Sequence, residues 1–160
     1  NFFILINNNI KPILETIKSR CIEIKIILNR NLKKKVISSL INTFDQKILL
    51  NMNLIDISPG NFIKFNYIIN DQKLNLKDNF LSNFQKILKI YKKDREYFYK
   101  DFLLFFADYY LKEIKSNNLI SNKKFIEKRL FIVKSINDFF FYNLSQNTLI
   151  SSIENNFINE

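Results

Sequence analysis

"YFYKDFLLFFADYYLKEIKS", residues 97–116, is the stretch that decides how this 160-residue chain folds. Phe98, Phe102, Phe105 and Tyr109 recur every three or four residues, which places their side chains on one face of an α-helix. Further apolar residues between them make two flanks of that helix apolar. The stretch predicts a long helix whose aromatic face is buried, ending at the "SNN" of 116–118.

Similar apolar stripes flank this helix. Phe80, Phe84, Leu88 and Tyr91 form the stripe before it. The stripe after it runs through Ile126, Leu130, Val133, Asn137, Phe140 and Leu144, and a last helix from Ser145 carries Leu149, Ile153 and Phe157. No Gly or Pro follows residue 60, so strands joined by tight turns are disfavoured there. We expect an antiparallel helical bundle over residues 73–160.

Residues 29–72 also have a helical pattern. Apolar residues at every fourth position predict a helix over Leu32–Thr43, with Lys33–Lys35 facing outward. A second helix is expected over Gln46–Ile55. A third is expected from Pro59 to about Ile69, and the polar "NDQKLN" at 70–75 then marks a domain boundary near residue 72.

The turn "ISPGN" at 57–61 carries the local signals that start this third helix. Ser58 is a typical N-cap residue, and Pro59 suits the first helical turn because its missing N–H would be unpaired there. Gly60, without a side chain, is expected to allow another part of the backbone to approach closely.

Residues 1–28 have a different pattern. The apolar run Phe2–Ile6 and the alternating segment Cys21–Ile26 predict one or two short strands, with a short helix over Ile13–Lys18 between them. No partner strand for the first run lies nearby, so we expect the chain to be a fragment of a larger module. The fold class is therefore mainly α, with a small α/β remnant at the start.

The composition excludes several kinds of catalytic site. With no His and one Cys, a zinc site, an internal disulfide and a Ser/His or Cys/His pair are all excluded, and one Gly cannot build a glycine-rich phosphate loop. We do not expect this chain to be catalytic alone. The longest apolar run, of about six residues, is far shorter than the roughly 20 that span a bilayer, so a cytoplasmic protein is expected.

The net charge of +10 leaves two interpretations open. The basic residues are spread along the chain, and a basic surface favours contact with a polyanion such as nucleic acid, with Lys33–Lys35 as candidates. Alternatively, these lysines form an ordinary solvated surface.

"NFFILINNNIKPILETIKSRCIEIKI", residues 1–26, resembles the end of the AAA+ module of clamp-loader subunits, in which a strand ending in a small polar residue is followed by "P…TI.SRC". The helices and "SPG" turn after it resemble the small lid domain of that family, and the terminal bundle resembles its collar. The resemblance thus divides the chain into residues 1–28 (end of the AAA+ core), 29–72 (lid) and 73–160 (oligomerising collar). The P-loop, the Walker B motif and the zinc module of the family are absent from this sequence.

The resemblance implies a DNA-replication subunit that helps load the sliding clamp onto primed DNA. Its partners would be the gamma/tau and delta subunits of the bacterial DNA polymerase III clamp loader. Within the "SRC" motif, Ser19-Arg20-Cys21, Arg20 would be an arginine finger that reaches the γ-phosphate of ATP bound by a neighbouring subunit. That partner would hold the ATP and Mg²⁺, so this chain would need no cofactor of its own.

The family pattern assigns further roles and leaves alternatives. Ser19 would make a hydrogen bond at the helix end, Cys21 would be a small buried residue, and Asn7 or Asn8 would occupy the sensor-one position. The ATP-binding gamma/tau subunit itself is one alternative, although it has "S.RD" where this chain has "ISPGN" without an arginine. An unrelated basic helical module that binds proteins or nucleic acid is the other.

Overall fold

The computed structural model describes residues 3–6, 12–45, 47–76 and 78–157, and α-helix is the dominant structure within these ranges. The helices are α1 (Glu15–Lys18), α2 (Arg30–Phe44), α3 (Pro59–Asp71), α4 (Phe80–Asp94), α5 (Phe98–Ser116), α6 (Asn122–Phe141) and α7 (Gln146–Phe157). The prediction of a mainly α fold is confirmed, while the division into AAA+ remnant, lid and collar stays a prediction. Within the described ranges, no helix has the length and apolar character of a membrane span.

The aromatic helix α5 is the central element of the core. It packs against both α4 and α6, and α7 in turn packs against α4 and α6. Phe102, Leu103, Phe106 and Tyr109 of α5 are buried, and they lie on more than one side of the helix. Packing within this chain therefore accounts for the apolar flanks of α5.

The core is continuous from α2 to α7. Helix α2 packs against α3, and the ring of Phe65 on α3 lies 4.5 Å from that of Phe105 and 5.2 Å from that of Phe102 on α5, measured between ring centroids. A single cluster of buried side chains extends from Ile37 to Ile153. The residues on both sides of position 72 thus share one apolar core.

The helix predicted over Gln46–Ile55 is wrong, because residues 47–58 form a loop. Helix α2 ends at Phe44, and its C-cap residue Asp45 has the left-handed conformation (φ 47°, ψ 45°). Side chains of α3 then bind the backbone of the loop: the Leu49 N–H donates to Asn66 Oδ1 at 3.0 Å, and the Lys47 carbonyl accepts from Asn66 Nδ2 at 2.8 Å. These contacts replace the bonds that a helix would make four residues apart.

The two predicted strands do not form in the described part of the chain. Residues 3–6 and 22–29 carry no strand assignment, and Cys21 lies in a bend. A strand needs a partner for its N–H and C=O groups, and no described segment pairs with either run. The side chains of Ile22, Ile24 and Ile26 are 92%, 78% and 82% exposed.

The apolar stripe predicted for α6 is only partly buried, because Phe140 packs against the core but the first two positions do not. Ile126 and Leu130 are 55% and 63% exposed, whereas Ile132, Ile136 and Phe139 are buried. Both sets have helical spacing, but α5 and α7 cover the second set. For α4, in contrast, the predicted positions Phe80, Phe84 and Leu88 are buried as expected.

Candidate functional site

The "SRC" motif forms the turn that ends α1. The Ser19 N–H donates to the carbonyl of Glu15 at 2.9 Å and the Arg20 N–H to that of Ile17 at 3.1 Å. The Ser19 hydroxyl donates to the carbonyl of Thr16 at 3.2 Å, as expected of a serine at a helix end. Among the described residues, the Arg20 backbone is thus held by local hydrogen bonds of the turn.

The Arg20 side chain is exposed, and no side chain or carbonyl of the described chain binds its guanidinium group. Arg30 and Arg129 differ, because Arg30 donates to the Asn53 carbonyl and Arg129 to the Asp108 carboxylate. The planar guanidinium of Arg20 can therefore present its N–H groups to an external anion.

Two further predictions concern the burial of Cys21 and the sensor-one candidates. Cys21 was expected to be buried, and this is wrong, since the residue is exposed and its thiol is free. Within the described residues, the segment that follows Cys21 enters no sheet that could cover its side chain. Asn7 and Asn8, the sensor-one candidates, lie outside the described residues.

The "SPG" turn starts α3 as predicted, except at its glycine. Ser58 is the N-cap and accepts a hydrogen bond from the Asn61 N–H at 3.3 Å, and Pro59 is the first helical residue. Gly60 was expected to permit a close backbone approach, and this is wrong. A Cβ atom at Gly60 would meet nothing within 4 Å, and its φ is not positive.

The structure also contains a groove that the sequence analysis missed. This basic groove, with a volume of about 310 Å³, lies between the start of α2, the loop over residues 53–56 and α5. Its lining carries three cations, Arg30, Lys33 and Lys112, and one carboxylate, Asp56. Of the suspected Lys33–Lys35, Lys34 lines an adjoining pocket, whereas Lys35 lines neither.

The contacts within the basic groove use only part of its hydrogen-bonding capacity. Lys33 Nζ lies 2.7 Å from Asp56 Oδ1, Lys112 Nζ lies 2.7 Å from Asp108 Oδ2, and Arg30 donates to the Asn53 carbonyl. Lysine has three N–H donors and arginine five, so each cation retains donors for a ligand. The basic groove can therefore bind an anion without losing its existing contacts.

The pKa of Asp56 indicates that the cations converge at one place. The hydrogen bond and charge of Lys33 lower the pKa of the Asp56 carboxyl, and the charges of Lys112 and Arg30 lower it further. Asp56 is exposed, so this effect reports the local positive potential rather than stability. Only the folded structure reveals this convergence, since Lys112 is distant from Lys33 in sequence.

Acidic side chains do not gather into a metal site in the described part of the chain. Asp56 faces cations in the basic groove. The other well-contacted carboxylate, Asp108, accepts from Lys112 at 2.7 Å and from Arg129 at 2.6 Å. Both carboxylates serve as partners for basic side chains.

Comparison with known proteins yields no match, whether against family models, curated proteins or solved structures. The features of the chain that bear on function are the exposed Arg20 turn and the basic groove.

Proposed function

We propose that this chain is a clamp-loader subunit of the delta-prime type from a bacterial DNA polymerase III, acting in the cytoplasm. It would assemble with gamma/tau and delta subunits and help load the sliding clamp onto primed DNA. On this proposal Arg20 acts in trans on ATP and Mg²⁺ held by a neighbouring subunit, and residues 73–160 form the oligomerising collar.

The observation that carries the proposal is the state of Arg20. Its guanidinium is exposed and has no partner in the described chain, and the local turn after α1 holds its backbone. Arg95 is also exposed and without a contact among the described residues, so what distinguishes Arg20 is this state together with its place in the "SRC" turn. The free guanidinium of Arg20 fits a residue whose partner belongs to another molecule.

The mechanism follows from the charge that develops during phosphoryl transfer. As the bond to the γ-phosphoryl group breaks, negative charge grows on the phosphoryl oxygens. A guanidinium fixed beside them stabilises that charge more than it stabilises the ground state, so it raises the rate. Lysine would replace this planar fork by a single point charge.

The test is the ATPase rate of a clamp loader reconstituted from the full-length protein with gamma/tau and delta subunits. Arg20→Ala should lower the rate at the completed site by about 10³-fold or more, the effect known for arginine fingers. Arg20→Lys should restore only a small part of the rate, since it keeps the charge but not the fork.

Arg95→Ala is the matched control. Arg95 is also exposed, and no contact of its guanidinium is found within the described residues. The Arg95→Ala substitution should leave the ATPase rate unchanged. If Arg20→Ala and Arg95→Ala rings assemble equally by gel filtration and hydrolyse ATP equally fast, the arginine-finger proposal is wrong.

Two other functions are distinguished by separate observations. A gamma/tau subunit would itself bind ATP through a P-loop, which the delta-prime type does not require. A basic helical module that binds nucleic acid is favoured by one specific observation, the basic groove.

A further inference from the structure

The basic groove brings together cations from distant parts of the chain. Arg30 and Lys33 lie in the first turns of α2, and Lys112 comes from the last part of α5. Asp56 faces these three cations, and Asp108 beside the groove pairs with Lys112 and also with Arg129, so the groove keeps a small excess of positive charge. The net charge of the whole chain, +10, has the same sign.

We propose that the basic groove binds the backbone phosphates of a nucleic acid. Phosphate oxygens accept hydrogen bonds from lysine and arginine, and the groove offers both types of donor over about 310 Å³. A positively charged protein surface favours a polyanion over a small anion, because a polyanion releases several counterions on binding. This inference does not depend on the clamp-loader proposal, since Arg20 is not part of the groove.

Asp56 makes the proposal testable by a gain as well as a loss. Its carboxylate lies 2.7 Å from the Lys33 ammonium, and its side chain is 82% exposed. A phosphate in the groove would compete with this carboxylate for Lys33. Asp56→Asn should therefore tighten binding, the opposite of the loss expected for Lys33→Gln.

The measurement is fluorescence anisotropy of a labelled 20-base-pair DNA duplex, titrated with the full chain at several salt concentrations. Lys33→Gln should weaken binding several-fold and lower the slope of log K against log salt by about one. Asp56→Asn should strengthen binding several-fold at low salt.

Lys35→Gln is the matched control, because it removes the same charge from the same helix but outside the groove. Its effect should be clearly smaller than that of Lys33→Gln. If the two variants weaken binding equally and Asp56→Asn has no effect, the binding reflects general surface charge and the proposal is wrong.

ATP and inorganic phosphate serve as competitors in the same assay. If the groove took a free nucleotide, ATP would bind more tightly than the duplex and Lys33→Gln would weaken ATP binding instead, which would overturn the nucleic-acid assignment. The DNA-binding assay contains no ATPase partner. A failure of the groove proposal would therefore leave the outcome of the Arg20 experiment unaffected.

Discussion

Asn66 is the residue that holds the loop over residues 47–58 on α3. Its side chain is fully buried, and it both accepts from the Leu49 N–H and donates to the Lys47 carbonyl. Asn66→Ala leaves the Leu49 N–H without this acceptor and a gap in the core, while the Lys47 carbonyl keeps only its bond from Asn70 Nδ2. We expect the free energy of unfolding to fall by about 2 kcal/mol or more, measured by urea denaturation.

Asn70→Ala provides the comparison for this prediction. Asn70 Nδ2 lies 2.9 Å from the same Lys47 carbonyl, but that carbonyl keeps its bond from Asn66. The loss should be about 1 kcal/mol or less. Equal losses for the two variants would show that burial of Asn66 is not what stabilises the loop.

Single residues could be predicted from sequence where their neighbours in the chain decide the outcome. Ser58 and Pro59 start α3 as expected, because capping depends on groups within the first helical turn. The predictions for Cys21 and Gly60 were wrong because burial and close backbone approach depend on what lies opposite a residue in space. Asn66 was missed for the same reason, since its partners lie 17 and 19 residues away.

The contact between α5 and α6 includes a pair of bonds to one carboxylate. Asp108 of α5 accepts from Lys112 of the same helix and from Arg129 of α6. Burial of the carboxyl group opposes its ionisation, yet the hydrogen bonds and charges of Lys112 and Arg129 outweigh this effect and lower its pKa. Asp108 is thus ionised more readily in the folded chain than in the unfolded one.

Asp108→Asn should lower the free energy of unfolding by about 1 kcal/mol at pH 7, because Arg129 is half exposed and such pairs are weak. A lowered pKa gives stability that is present above the unfolded value of 3.8 and lost as pH falls through the folded value. The difference between wild type and variant should therefore shrink below pH 4 in urea denaturation.

Glu127→Gln is the control on α6, since the Lys123–Glu127 pair is 4.0 Å long and exposed. It should change stability little at any pH. A difference for Asp108→Asn that stays constant down to pH 2 would contradict the role of its ionised form.

Helix α6 shows why an element can be predicted while its orientation cannot. Its apolar residues occupy two sides, and each side repeats at helical spacing. The sequence alone does not say which side α5 and α7 cover. Helix α4 has fewer apolar residues outside its buried face, and its stripe was therefore predicted correctly. The pattern determines that a helix forms, but the packing determines which face is buried.

At the scale of the whole molecule, each helix from α2 to α7 could be predicted, although the pattern also predicted a helix over Gln46–Ile55 that does not form, and the basic groove could not be predicted. Each helix from α2 onward depends on periodicity and caps within its own segment. The groove depends on α2, the loop and α5 meeting in space, which no local pattern encodes. The "SRC" turn lies between these cases. Its local hydrogen bonds follow from sequence, but the external partner proposed for Arg20 does not.

The continuous core predicts how the molecule unfolds. Phe65 of α3 is 2% exposed and stacks on α5 across the position where a domain boundary was predicted. We expect one cooperative urea transition, with the same midpoint by far-UV circular dichroism and by tyrosine fluorescence. Phe65→Ala should lower the free energy of unfolding by about 3–5 kcal/mol and move both midpoints together.

Phe44→Ala is the matched change, because Phe44 is 58% exposed at the end of α2 and its loss should cost no more than about 0.5 kcal/mol. Two separate transitions, or a Phe65→Ala effect confined to one signal, would mean that residues 29–72 and 73–160 unfold independently. In that case the boundary near residue 72 would separate two units that unfold independently. A single transition would mean instead that a lid and a collar, if they act separately in an assembly, do so on one shared core.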